Sequence, residues 1–184
     1  LGGFLGNVEG ISGLHLHAVG QLERLNPGFK ARIRTAFRSV SCIKTTQQVK
    51  LTSLTIKASG GLEYESVYAL GPMVGVDDID AATYANYICN EEGMDPISFG
   101  ATLAAAMELY EIGAIGDTET NGLKLKFGSA EALVKGVELA GLGEGFGADL
   151  GLGAKLLCEK YGNPDLAMVV KGQEFPGYDG RAMQ

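Results

Sequence analysis

The chain has 184 residues, of which 46% are hydrophobic and 20% are charged, and its formal net charge at pH 7 is −7. A chain of this size and apolar content buries one ordinary core, and its composition argues against disorder. The acidic excess repels phosphate and anionic lipid, so we expect no nucleic-acid partner and no membrane partner. No apolar run approaches the roughly 20 residues that cross a bilayer.

The first 60 residues differ in pattern from the remainder. We expect residues 1–60 to form a divergent N-terminal segment that is partly β, and residues 61–184 to form a helical domain. Basic residues at helical spacing in residues 30–38 predict a short amphipathic helix. Residues 50–58 alternate as a strand does, and a pair of glycines follows them.

Beyond this segment, helix signals are strong. Four helices are predicted, each with a capping side chain or a glycine at a boundary. Their boundaries, in chain order, are Asp77 or Asp78 to Gly93, Asp95 to Gly113, Ser129 to Ala140, and about Gly147 to Gly162. The side chains predicted to face inward are Ala81, Tyr84, Ala85, Ile88, Phe99, Leu103, Met107, Tyr110, Leu133, Val137, Ala140, Leu150, Ala154, Leu157 and Tyr161. With a short strand at residues 168–171, the prediction is a mainly α fold with short edge strands.

One glycine-rich motif has two interpretations. Gly143 to Ala148 fits GxGxxA, and Asp165 lies 20 residues after Gly145, as in a dinucleotide-binding fingerprint. That fingerprint requires a preceding strand, whereas residues 131–140 have helical spacing. We therefore interpret the motif as a corner between two helices.

Five blocks of sequence between Gly61 and Arg181 carry a family resemblance. In chain order they are LEYESVYALGPMVGVDDIDA, YICNEEGMDPISFGATLAAAMELYEIGAI, LKFGSAEALVKGVELA, EGFGADLGLGAK and VKGQEFPGYDGR. In this order and spacing, over about two thirds of the chain, they resemble the middle domain of the tungsten-dependent aldehyde:ferredoxin oxidoreductases. Such enzymes convert aldehydes and related carbonyl compounds or reduce activated aromatic acids. The resemblance implies a tungsten or molybdenum bis-pterin cofactor, a [4Fe–4S] cluster, and electron transfer to a ferredoxin-like carrier.

The resemblance also implies a cofactor-binding site in the second block. Asn90, Gly93 and Asp95 match the family's (D/N)xxGLD pterin-contacting motif, which reads NEEGMD here. A carboxylate at Asp95 could accept two hydrogen bonds from a pterin ring. The alternative is a corner between two helices in which Asp95 is only a cap.

Glu65 is the catalytic residue that the resemblance implies. It matches a family glutamate beside the metal, and a carboxylate there could carry the proton as water adds to a carbonyl carbon. The alternative is a solvated glutamate at the end of a strand, on the same face as Glu63.

The cysteines depart from the family pattern. The family places CxxCxxxC before the Glu-Tyr-Glu segment, but only Cys42 is present there. Cys89 and Cys158 fall on predicted helices and are expected to be small core residues. We therefore expect this chain to bind no cluster and no metal by itself, and the absence of a disulfide pattern indicates a reducing cytoplasm.

Two hypotheses follow for the function. The first is a fragment of a pterin-metal oxidoreductase, inactive alone, whose active site is completed by the remainder of the enzyme. The second is a non-catalytic helical module, derived from the same family, that serves interaction or subunit contact.

Overall fold

The computed structural model describes residues 50–51, 54–55 and 62–177. Within them lie six α-helices, α1 to α6 in chain order: Tyr64–Leu70, Ile79–Glu91, Pro96–Glu111, Ala130–Leu142, Phe146–Leu150 and Gly153–Lys160. Short 3₁₀ turns occupy Pro72–Val74 and Pro164–Leu166. Four strands, β1 to β4, are Lys50–Leu51, Leu54–Thr55, Val169–Val170 and Gln173–Glu174. The predicted mainly α fold with short strands is confirmed.

Side-chain caps start three of the predicted helices. The Asp78 carboxylate accepts hydrogen bonds from two backbone N–H groups at the start of α2, both at 3.0 Å. Asp95 and Ser129 accept bonds from first-turn N–H groups of α3 and α4, respectively. Each bond satisfies a donor that the helix itself leaves without a partner. The local signals therefore located these helix starts correctly.

One predicted helix was wrong, and one helix was not predicted. The predicted fourth helix is two helices, α5 and α6, because the chain turns at Gly151 and Leu152 and Gly153 adopts a φ of +79°. The helix α1 was not predicted, since its residues Ser66 to Leu70 are all buried and show no amphipathic period.

Of the two strand predictions, one was wrong and one is confirmed. Residues 50–58 do not form one strand, because Lys50 pairs with Thr55 and Leu51 pairs with Leu54 in an antiparallel ladder. The strand predicted near residue 169 is confirmed as β3, which pairs with β4. The helix predicted at residues 30–38 and the position of Cys42 lie outside the described residues.

The core lies between α2, α3, α4 and α6. All the side chains predicted to face inward are buried or packed against the core, with Ile88, Tyr110, Ala140 and Tyr161 partly exposed. Cys89 and Cys158 are free and buried, as predicted. The GxGxxA motif is the predicted corner between helices α4 and α5, with positive φ at Gly143 and Gly145.

Glycines set two close contacts in this core. A Cβ at Gly100 of α3 would lie 2.8 Å from the Cβ of Ala69 in α1. A Cβ at Gly147 of α5 would lie 2.6 Å from the backbone nitrogen of Ala140 in α4. Real Cβ atoms do not approach this closely, so both helix pairs need glycine to pack as they do. None of the described helices is both long enough and apolar enough to cross a membrane.

Candidate functional site

Glu65 lies in the first turn of α1 and is half-buried. Its Oε2 accepts a hydrogen bond of 2.8 Å from the backbone N–H of Gly177, which is 112 residues away in sequence. Its Oε1 is buried and has no hydrogen-bond partner among residues 62–177. The alternative of a solvated glutamate on a strand end is therefore wrong, because Glu65 is helical and its carboxylate is largely withdrawn from solvent.

Tyr68 lies one helical turn after Glu65 and is buried. Burial and the nearby charge of Glu65, in that order, raise the pKa of Tyr68 to about 12. The phenol is therefore neutral at pH 7. The Glu65 carboxylate and the buried Tyr68 ring therefore lie on the same face of α1.

The segment from Asn90 to Asp95 is the corner between α2 and α3. Gly93 adopts a φ of +69°, and the N–H of Met94 donates to the carbonyl of Cys89 at 2.7 Å. This is the Schellman arrangement that ends many helices, and Met94 folds back against the core. Asn90 and Gly93 are exposed, and a Cβ at Gly93 would meet nothing within 4 Å. The corner therefore offers an open, flat approach to its backbone.

Asp95 is an exposed cap at the start of α3. Its Oδ1 accepts from the N–H of Ile97 at 2.9 Å, and its Oδ2 accepts from the hydroxyl of Ser98 at 3.2 Å. A carboxylate has about four lone-pair directions, so each oxygen can accept another hydrogen bond from outside. The capping role is thus observed, and it leaves room for a further contact.

Glu65 lies on α1 and Asp95 caps α3, and these two helices pack against each other. The helices α1 and α3 meet where Gly100 packs against Ala69. At a rise of about 1.5 Å per residue, Glu65 lies about 6 Å along α1 from Ala69, and Asp95 lies about 8 Å along α3 from Gly100. Each residue therefore lies within two helical turns of this contact, measured along its own helix.

Both described cysteine thiols are held in the protonated form. Burial, followed by the charge of Asp95, raises the pKa of Cys89 to about 12, and burial and Glu108 raise the pKa of Cys158. Metal ligation requires thiolates, which these environments disfavour. Among the residues that the structure describes, no three His, Cys, Asp or Glu side chains form a group that could hold a metal ion.

Comparison with known proteins identifies the family. The family model described as aldehyde ferredoxin oxidoreductase, domains 2 and 3, matches residues 29–184. The chain belongs to the aldehyde ferredoxin oxidoreductase family. The match extends the resemblance to residue 29, well before the blocks that first indicated it, whereas the domain boundary at residue 60 stays a prediction.

Several curated members of the aldehyde ferredoxin oxidoreductase family are close relatives. The tungsten-containing aldehyde ferredoxin oxidoreductase of Pyrococcus furiosus is 44% identical over 131 residues, 71% of this chain and 22% of that protein. The enzyme of the same name from Thermococcus kodakarensis is 40% identical over 131 residues, with the same coverage of both chains. The one from Pyrococcus horikoshii is 41% identical over 133 residues, again 71% of this chain and 22% of that protein. The matched part of the chain thus spans about a fifth of the length of these relatives.

Sequence reasoning missed one component of the site. Gly177 donates a hydrogen bond to Glu65, but the sequence predicted no role for it beyond its place in the block VKGQEFPGYDGR. The Pro176-Gly177 pair indicates a turn, but no local pattern indicates which distant side chain that turn contacts.

Proposed function

We propose that the chain is part of a tungsten–pterin oxidoreductase that oxidises aldehydes and passes the electrons to a ferredoxin-like carrier. Water adds to the aldehyde carbon and a carboxylic acid leaves, with release of two electrons and two protons per aldehyde oxidised. The relatives' names support an aldehyde substrate, tungsten rather than molybdenum, and ferredoxin as electron acceptor. The observation that carries the proposal is membership of this family over residues 29–184.

The corner at Asn90, Gly93 and Asp95 fits a pterin. A pterin presents amino and amide-like donors along one edge, and the remaining lone pairs of the exposed Asp95 carboxylate suit such donors. Open space above Gly93 leaves room for a flat ring, and the exposed side-chain amide of Asn90 adds a donor and an acceptor. Residues Asn90, Gly93 and Asp95 would thus hold one pterin against the end of α2.

Glu65 fits the role of proton carrier. When bound, the tungsten–pterin group supplies the two-electron acceptor for the oxidation. The buried Oε1 of Glu65 has no partner among residues 62–177, so it is available to take a proton from the water that adds to the carbonyl carbon. Its other oxygen is held by Gly177, which fixes the direction of the free one.

The same proposal includes an iron-sulfur cluster elsewhere in the enzyme and a cytoplasmic location. Neither Cys89 nor Cys158 belongs to a group of candidate metal ligands among the described residues, so the electron path to the carrier would run through a cluster held by other parts of the enzyme. A reducing cytoplasm suits two free thiols and a low-potential carrier. The partners are therefore the remainder of the enzyme and a ferredoxin-like protein.

Kinetics of the full-length enzyme that contains this chain test the proposal. The protein would be purified without oxygen, analysed for tungsten, and assayed with benzaldehyde and a one-electron dye. We expect the replacement Glu65→Gln to lower turnover by about 10²–10⁴ per tungsten, because a general base is lost while tungsten content is retained. Full turnover in this variant would remove the assigned role, and a protein with neither tungsten nor turnover would favour the non-catalytic module.

A further inference from the structure

We propose that the backbone N–H of Gly177 positions the Glu65 carboxylate for proton transfer, and that the ring of Tyr68 requires glycine at residue 177. This inference rests on the proposed function of Glu65. It adds a positioning residue, Gly177, whose hydrogen-bond donor is a main-chain N–H. The residue type alone therefore gives no sign of this role.

The hydrogen bond joins two distant parts of the fold. The Gly177 N–H meets the Glu65 Oε2 at 2.8 Å, and Gly177 itself is buried. A carboxylate with one oxygen held by a rigid backbone donor has its other oxygen fixed in direction, whereas a carboxylate without that donor can rotate. The buried Oε1 is the oxygen that this bond orients.

The segment that carries Gly177 is itself anchored. Three residues earlier, the buried side chain of Glu174 accepts a hydrogen bond of 2.8 Å from the N–H of Ala154 at the start of α6. The strand β4, which contains Glu174, also pairs with β3. The Gly177 N–H is therefore fixed to the helical core through α6 and the β3–β4 hairpin, independently of α1.

A steric contact explains why residue 177 is glycine. A Cβ there would lie 2.5 Å from Cγ of Tyr68 and would also collide with two neighbouring ring carbons. The φ of Gly177 is not in the left-handed region that favours glycine. The three atoms nearest to such a Cβ all belong to the Tyr68 ring, so we expect removal of the ring to relieve the requirement for glycine.

A double-mutant cycle in the full-length tungsten enzyme tests this relation. The four proteins are the parent, Gly177→Ala, Tyr68→Ala and the double variant, each assayed for benzaldehyde turnover per tungsten. We expect Gly177→Ala to lower kcat by about 10–10²-fold with little change in KM, because a displacement of about 1 Å in a catalytic group has effects of this size. In the Tyr68→Ala background, the same replacement should change kcat by less than about twofold. Gly151→Ala is the matched control, because the φ of Gly151 is −66° and a Cβ there would meet no atom closer than 3.4 Å.

The outcomes separate this inference from the one it rests on. If Gly177→Ala lowers kcat equally in the parent and in the Tyr68→Ala background, or lowers it in neither, the positioning role is overturned. Slow turnover of Glu65→Gln would still support Glu65 as the proton carrier. Full turnover of Glu65→Gln would instead overturn both. If Gly177→Ala alone fails to accumulate, a double variant with the kcat of Tyr68→Ala supports the steric relation, and one with a far lower kcat contradicts it.

Discussion

Glu174 caps helix α6 across 20 residues of sequence. Its Oε1 accepts a hydrogen bond of 2.8 Å from the backbone N–H of Ala154, and the glutamate is only 9% exposed. No residue beside the helix start supplies a side-chain cap, since the residue at the cap position is Leu152. The hairpin therefore supplies from a distance what Asp78, Asp95 and Ser129 supply locally to their own helices.

Two replacements of Glu174 should destabilise the 184-residue chain to different extents. Glu174→Gln keeps an acceptor but removes a negative charge at a helix N-terminus, which is worth about 0.3–2 kcal/mol. Glu174→Ala also leaves the Ala154 N–H without its partner, for a total loss of about 1–3 kcal/mol. Urea unfolding measures both. Equal stability of the parent and both variants would show that the cap contributes nothing.

Gly147→Ala should destabilise the contact between α4 and α5. A Cβ there would lie 2.6 Å from the backbone nitrogen of Ala140, and backbone atoms cannot yield as a flexible side chain can. We expect a loss of about 1–3 kcal/mol, typical of overpacking. Gly151→Ala in the neighbouring turn should be neutral or should add up to about 1 kcal/mol, because alanine restricts the unfolded chain. Thermal unfolding measures the stability of both variants. A Gly147→Ala variant as stable as the parent would be incompatible with the observed packing.

Leu103→Ala and Leu157→Ala should open cavities in the core. Both side chains are fully buried, on α3 and α6 respectively. Each replacement should cost about 2–5 kcal/mol in the free energy of unfolding, as large-to-small core changes do. Leu142→Ala is the matched control, since Leu142 is 65% exposed and its loss should cost less than about 0.5 kcal/mol. Similar losses for all three would mean that the helix faces are assigned wrongly.

The Cys89 thiol should resist alkylation in the folded protein. Burial and the charge of Asp95 raise its pKa to about 12, well above that of an ordinary thiol. Its contribution to stability is therefore present below about pH 9 and is lost as the pH rises through about 12. Iodoacetamide at pH 8, followed by peptide mass spectrometry, should label Cys89 only after unfolding in urea. Rapid labelling of the native protein would contradict the observed burial.

Local signals predicted the helices, and their absence explains the failures. Asp78, Asp95 and Ser129 each precede an amphipathic run, so cap and period agree on one boundary. The helix α1 has neither signal, because its cap residue Glu63 makes no side-chain bond and its second half is buried on every side. The division between α5 and α6 depends on a positive φ at Gly153, and a glycine in sequence does not reveal its φ.

The candidate site could be predicted only in part for a related reason. The corner at Asn90 to Asp95 is contiguous, so its glycine and its cap were visible in sequence. The contact between Glu65 and Gly177 joins residues 112 positions apart through a main-chain donor, and no pattern of residue types encodes that pairing. Burial of Oε1, which gives Glu65 its chemical interest, is likewise a property of packing alone.

The cofactor content of an Asp95→Asn variant of the full-length enzyme tests whether Asp95 binds the pterin cofactor. Asparagine caps helices about as well as aspartate, so stability should change by less than about 1 kcal/mol, whereas Asp95→Ala should cost about 1 kcal/mol. The amide replaces one acceptor oxygen with a donor group, which would face the donors of a pterin. We expect Asp95→Asn to fold normally yet to retain much less tungsten and pterin per protein than the parent. Unchanged tungsten and pterin content would show that Asp95 is a helix cap and nothing more.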